Sequence, residues 1–108
     1  MKDTKELLKD MLRAIVTIQS YSMPTYSIFL DDERTLDAII NNLLDLGEAA
    51  NQVPEQFQLS HPEIPWSYII GVSKTILHID KQAKAQIVWN LIQRDLMDLK
   101  KQLVQTIL

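Results

Sequence analysis

The chain contains no cysteine, which excludes disulfides, thiolate zinc sites, iron–sulfur ligation and a cysteine nucleophile. Its two histidines are too few for a histidine-rich metal centre. Glycine occurs twice and proline four times in 108 residues, and all four prolines fall between Pro24 and Pro65, leaving long stretches at both ends without a structure breaker. No apolar run approaches the roughly 20 residues that cross a bilayer, and the opening Met-Lys-Asp-Thr-Lys-Glu is not a basic stretch followed by an apolar one. A cytoplasmic protein without membrane contact is expected. Positive charge is also short: 11 Lys and Arg stand against 14 Asp and Glu, a net charge of −3. No general basic field draws this chain to nucleic acid, so any RNA contact would be local. What is present is 46% hydrophobic and 23% charged residues, a composition that folds. The length holds one domain, 1–108.

The punctuation and periodicity predict helices throughout. Leu8, Met11, Leu12, Ile15, Val16 and Tyr21 recur at three- and four-residue spacing with charges between them, which predicts a helix over 3–20. Ser22-Met23-Pro24-Thr25 breaks it and a loop follows. A second helix spans 32–52, opening on Asp32, Glu33 and Asp37, acidic residues that suit a helix start, and carrying Leu36, Ile39, Ile40, Leu43 and Leu44. Gly47 inside it costs about 1 kcal/mol relative to alanine, so a close helix crossing is expected there. Pro54, Pro62 and Pro65 confine 53–64 to a loop with a short turn near Glu55, whose Phe57 and Leu59 cap the core. Pro65 suits the first position of a third helix over 65–79. Ile87, Val88, Leu91, Ile92, Leu96, Leu99 and Leu103 predict a long fourth helix over 84–106. The expected fold class is all-α, an antiparallel bundle of four main helices. The third helix is apolar on more than one stripe, through Trp66, Ile69, Ile70, Val72, Ile76, Leu77 and Ile79, and a dimer is expected to cover it.

Three stretches, Asp32 to Ile39, Leu46-Gly47-Glu48-Ala49-Ala50 and His61-Pro62-Glu63-Ile64-Pro65-Trp66, resemble the HepT-like branch of the HEPN superfamily. The resemblance continues through Gly71, Leu77-His78, Ile87-Val88-Trp89 and Asp95-Leu96, covering 32–99 without a gap. It implies a small helical protein that forms a homodimer. It also implies a ribonuclease toxin encoded beside a minimal nucleotidyltransferase antitoxin that can adenylylate it. No cofactor and no metal are implied.

The family's chemical motif is an arginine, four residues, a histidine, one residue and a tyrosine. In Gly71-Val72-Ser73-Lys74-Thr75-Ile76-Leu77-His78-Ile79-Asp80, His78 stands at the histidine, Ser73 at the arginine and Asp80 at the tyrosine. Asn41 stands where many relatives carry a basic residue in the second helix. Metal-independent RNA cleavage needs the 2′-hydroxyl deprotonated, the leaving 5′-oxygen protonated and the phosphorane charge offset. A histidine titrating near neutrality can move both protons. Arginine would grip two phosphate oxygens through its planar fork, which serine cannot imitate. Lys74 is the candidate substitute, because a helical spacing of four puts it on the face of His78.

Other readings stand beside these. His78 can be a hydrogen-bonded residue at a helix end, and His61 a loop residue fixing the turn before the third helix. Arg34 can orient a site or belong to a solvated helix start; Asn41, Asn42 and Glu48 are equally open. Trp66 and Trp89 sit at apolar phase and read as packing, as does Tyr68. Two functions follow. One is a HepT-like endoribonuclease toxin weakened in this copy, with His78 as acid and base and Lys74 and Ser73 on the phosphate. The other is an inactive dimeric binding module that keeps its partner, since Asp80 beside the histidine would repel a phosphate.

Overall fold

The computed structural model describes residues 2–21 and 25–108, and the regular structure among them is entirely helical. In chain order the helices are α1 Thr4–Gln19, α2 Tyr26–Asp31, α3 Glu33–Gln52, α4 Glu55–Ser60, α5 Trp66–Thr75, α6 Lys81–Asn90 and α7 Leu96–Ile107. A 3₁₀ turn, Ile76–His78, follows α5, and a π turn, Leu91–Asp95, joins α6 to α7.

Local chemistry starts the main helices. Asp3 caps α1 by accepting from the Glu6 N–H at 2.8 Å, and Asp32 caps α3 by accepting from both the Thr35 N–H and its hydroxyl, at 3.1 and 2.7 Å. Each helix then turns an apolar stripe inward. Leu7, Leu8, Met11, Ile15 and Ile18 of α1 meet Leu36, Ile39, Ile40, Leu43 and Leu46 of α3, and Leu96, Leu99 and Leu103 of α7 join the same cluster. Burying each such side chain contributes about 1.5–3 kcal/mol. Helix α3 is central, packed on α1 along one side and on α5 along another.

Several expectations change. The break expected at Ser22, Met23 and Pro24 lies outside the described residues. The loop expected after it is helix α2: Thr25 accepts from the Ile28 N–H at 3.2 Å, and Tyr26 and Phe29 pack on Trp89 with ring centroids 5.6 and 5.7 Å apart. The anchoring ring lies sixty residues away in sequence, so no local pattern announces this helix. The turn near Glu55 is a full helix, α4. Phe57 packs on the core, but Leu59 is 73% exposed and caps nothing. Val16, placed on the apolar face of α1, is exposed as well. Pro65 precedes α5 as its cap, with Trp66 the first helical residue.

Two further differences bear on the site. The third helix stops at Thr75, four residues short of 79, and tightens into the 3₁₀ turn. The fourth begins three residues early, at Lys81, and carries the π turn, where the Leu96 N–H donates to the Leu91 carbonyl five residues back. The five-residue step between buried Leu91 and Leu96 is the mark of that turn in the sequence.

Candidate functional site

Segment 71–80, on which the resemblance puts the motif histidine at His78, is held at both ends. At one end α5 crosses α3 so closely that a β-carbon at Gly47 would overlap the Ser73 side chain. Glycine is therefore required at 47 by the approach of α5, as its position inside a helical pattern predicts. Ser73 is half-buried in this crossing, and its hydroxyl donates to the Ile70 carbonyl at 2.8 Å. At the other end Lys81 donates to Glu33 at 2.7 Å, tying the start of α6 to the start of α3; that bond holds the Glu33 carboxyl below its ordinary range. Glu33 and Gly47 are about 21 Å apart along α3, so the segment runs back along α3 between them.

Between the anchors, fully buried Ile76 pins the 3₁₀ turn, and Thr75 directs its hydroxyl to the Gly71 carbonyl at 3.0 Å. Ile79 is extended, with φ −112° and ψ 162°, which ends the helical run. Asp80 then caps α6, accepting from the Ala83 N–H at 2.8 Å. Lys74 and His78 are exposed, and neither makes a side-chain hydrogen bond among the described residues. They do not share one continuous α-helical face: a 3₁₀ turn advances about 120° per residue where an α-helix advances about 100°, which swings His78 round from Lys74.

The remaining candidates lie on another face. Arg34, Asn41 and Glu48 follow one another at seven-residue intervals, one exposed stripe of α3. Gly47, which meets Ser73, lies about 100° round from Glu48. Glu48 and half-buried Asn42 line an open groove between α3 and α1, with Asp10, Arg13 and Asp45; Ser73, Lys74, His78 and Asp80 do not. The groove's Asp10 carboxyl is held below its ordinary range by Lys2, which donates to it at 2.6 Å.

One arrangement has no clear signal in the sequence, and a second bears out the reading of His61. The exposed Tyr68 hydroxyl donates to Asp95 at 3.2 Å, joining α5 to the π turn across 27 positions; partial burial, then the Asp95 charge, pushes the phenol up from 10.0. Beneath it lies an apolar crevice of about 30 Å³, lined by Leu43, Leu46, Ile69, Val72 and Ser73 among others. His61 ends α4, with its ring stacked on Phe57 at 4.1 Å and Nδ1 3.0 Å from the Phe57 carbonyl. A carbonyl only accepts, so Nδ1 carries the proton. The His61 carbonyl accepts from the Trp66 indole at 3.0 Å. His61 thus fixes the turn into α5.

No solved structure matches the chain significantly. A Thermococcus cleftensis protein named "Probable ribonuclease HepT" is 30% identical over 97 residues, covering 89% of this chain and 88% of that one. A Methanocaldococcus jannaschii protein with a provisional RNase name is 28% identical over 92 residues, 84% of this chain and 76% of its own length. One from Caldanaerobacter subterraneus, also provisionally named an RNase, is 27% identical over 78 residues, covering 72% and 70% of the two chains. The family model described as ribonuclease HepT-like matches residues 11–106, and the chain belongs to the HepT-like family.

Proposed function

We propose that this chain is a HepT-like, metal-independent endoribonuclease of weakened activity. The observation that carries this reading is His78, exposed at the motif's histidine position on a turn held by buried Ile76. Acting on RNA, a neutral imidazole takes the proton of a 2′-hydroxyl, the 2′-oxygen attacks phosphorus, and the 5′-oxygen leaves with a proton from an imidazolium. A pair of His78 side chains from two copies would divide these roles. Lys74, turned away from the His78 of its own chain by the 3₁₀ turn, would offset the phosphorane charge as a point charge and from a less direct position than arginine's two-pronged grip, and activity would be correspondingly low. Exposed Leu77 and the open surface over Gly71 support a homodimer formed beside this turn. The partner we infer is a minimal nucleotidyltransferase antitoxin, the whole forming a toxin–antitoxin module in the cytoplasm. The chain acts as one domain, with no cofactor.

A second reading has its own support. Ser73 is engaged at the helix crossing and Asp80 caps α6, so both positions that depart from the motif serve the fold. An inactive dimeric binding module would look the same.

Cleavage of total RNA without added metal, by the protein and by His78→Ala, separates the two. Slow cleavage that disappears with His78→Ala upholds the ribonuclease. Intact RNA with both proteins upholds the binding module, and cleavage that survives the substitution removes His78 from the mechanism.

A further inference from the structure

The outer face of α7 carries a second surface that the ribonuclease reading does not use. Met97, Lys101 and Val104 follow one another at spacings of four and three, so they share one face of α7. Here Met97 is 54% and Val104 36% exposed. They line a groove of about 690 Å³ with Ile92, Lys100, Lys101, Gln105 and, from α1, Gln19. Exposed Val16 stands one turn before Gln19 on α1. The residues of segment 71–80 do not line this groove.

Its charge selects the occupant. The chain as a whole is acidic, at −3, yet the groove is lined by two lysines and no carboxylate. Exposed Asp98 does not line the groove, but it stands one heptad before Gln105, which does, and so marks the acidic edge of this basic strip. A second copy is a poor occupant: a two-fold pair would set the same surface against itself and bring Lys100 and Lys101 of both copies together. We infer that the α1–α7 groove docks an amphipathic helix of a partner protein. That helix would place apolar residues at heptad spacing between Met97 and Val104, with glutamates or aspartates beside Lys100 and Lys101.

The test uses two fluorescent helical peptides of about 21 residues, spanning ~30 Å. Both carry Leu at the seam positions; one carries Glu and the other Lys at the flanking positions. Titrated into the full chain and followed by anisotropy, the Glu peptide is expected to bind at least about tenfold more tightly. Val104→Glu should weaken it about tenfold, and Lys100→Glu with Lys101→Glu, which reverses the charge but keeps Met97 and Val104, should transfer the preference to the Lys peptide. Equal binding of the two peptides overturns the inference, as does unchanged preference in the double reversal. Displacement of the Glu peptide by polyuridylate would assign the groove to RNA, and self-association abolished by Met97→Glu would assign it to a second copy; either overturns the inference.

Discussion

The residues of segment 71–80 fall into a packed half and an exposed half, interleaved along the chain. Ser73 is pressed against Gly47 with its hydroxyl turned to its own helix, and Asp80 caps α6. Between them Ile76 is buried while Lys74 and His78 on either side of it stand in solvent. The contrast teaches that a motif position can be lost to packing while its neighbour stays available for chemistry. Ser73 and Asp80 depart from the family motif, and each is held by contacts that stabilise the fold. The groups left free are a cation and an imidazole, the minimum for charge neutralisation and proton transfer.

The largest test removes the anchor beneath the exposed half. Ile76→Ala should cost about 2–5 kcal/mol through lost burial and a cavity, read by urea denaturation, and it should disorder the His78 turn before the rest of the chain. A loss under about 1 kcal/mol would mean the turn is not pinned from below.

Gly47→Ala sharpens the packed half through its sign. Alanine in an open helix stabilises by about 1 kcal/mol relative to glycine; here the overlap with Ser73 should instead destabilise by about 1–3 kcal/mol, a melting point lower by some 4–20 °C. Adding Ser73→Gly should recover most of it. A stabilised Gly47→Ala protein would break the comparison.

Asp80→Ala should cost about 1 kcal/mol by uncapping α6, whereas Asp80→Asn, which keeps an acceptor, should cost a few tenths. It follows that Ser73→Arg with Asp80→Tyr, which rebuilds the motif, is expected to destabilise the chain even where it raises RNA cleavage. Melting and cleavage measured on the same sample keep the two effects apart.

The smallest effect is an acid limb. Hydrogen bonds from the Thr35 hydroxyl and N–H hold the exposed Asp32 carboxyl below its ordinary 3.8. A depressed carboxylate contributes stability that is complete above the unfolded value and fades as pH falls through the folded one. Asp32→Asn, which keeps the cap but does not titrate, should therefore flatten the melting-point decline below about pH 4. An unchanged decline would place the acid sensitivity elsewhere.

Much of this was legible in the residues. The apolar spacing of α1, α3 and α7 marked the three long stripes that form most of the core, and Gly47 inside a helical pattern marked the crossing. The family showed through short stretches such as Leu46-Gly47-Glu48 and His61-Pro62-Glu63. Helix α2 was not legible, because Tyr26 and Phe29 gain their order from Trp89. The end of α5 was not legible either, since Thr75-Ile76-Leu77-His78 continues a helical pattern as well as it ends one. Asn41 entered by resemblance, and Arg34 and Glu48 as open alternatives; their shared stripe lies round α3 from the crossing with α5.

The sequence by itself determined the helical class, the acidic start of α3 and the inward stripes, because spacing and residue type act locally and survive in any arrangement of the helices. Tertiary structure decided which of the motif positions still face solvent. It also decided that Tyr68 meets Asp95 and that the groove with Met97, Val104 and two lysines lies open between α7 and α1. Those outcomes depend on which helix crosses which and how closely, a matter of packing between residues far apart in the chain.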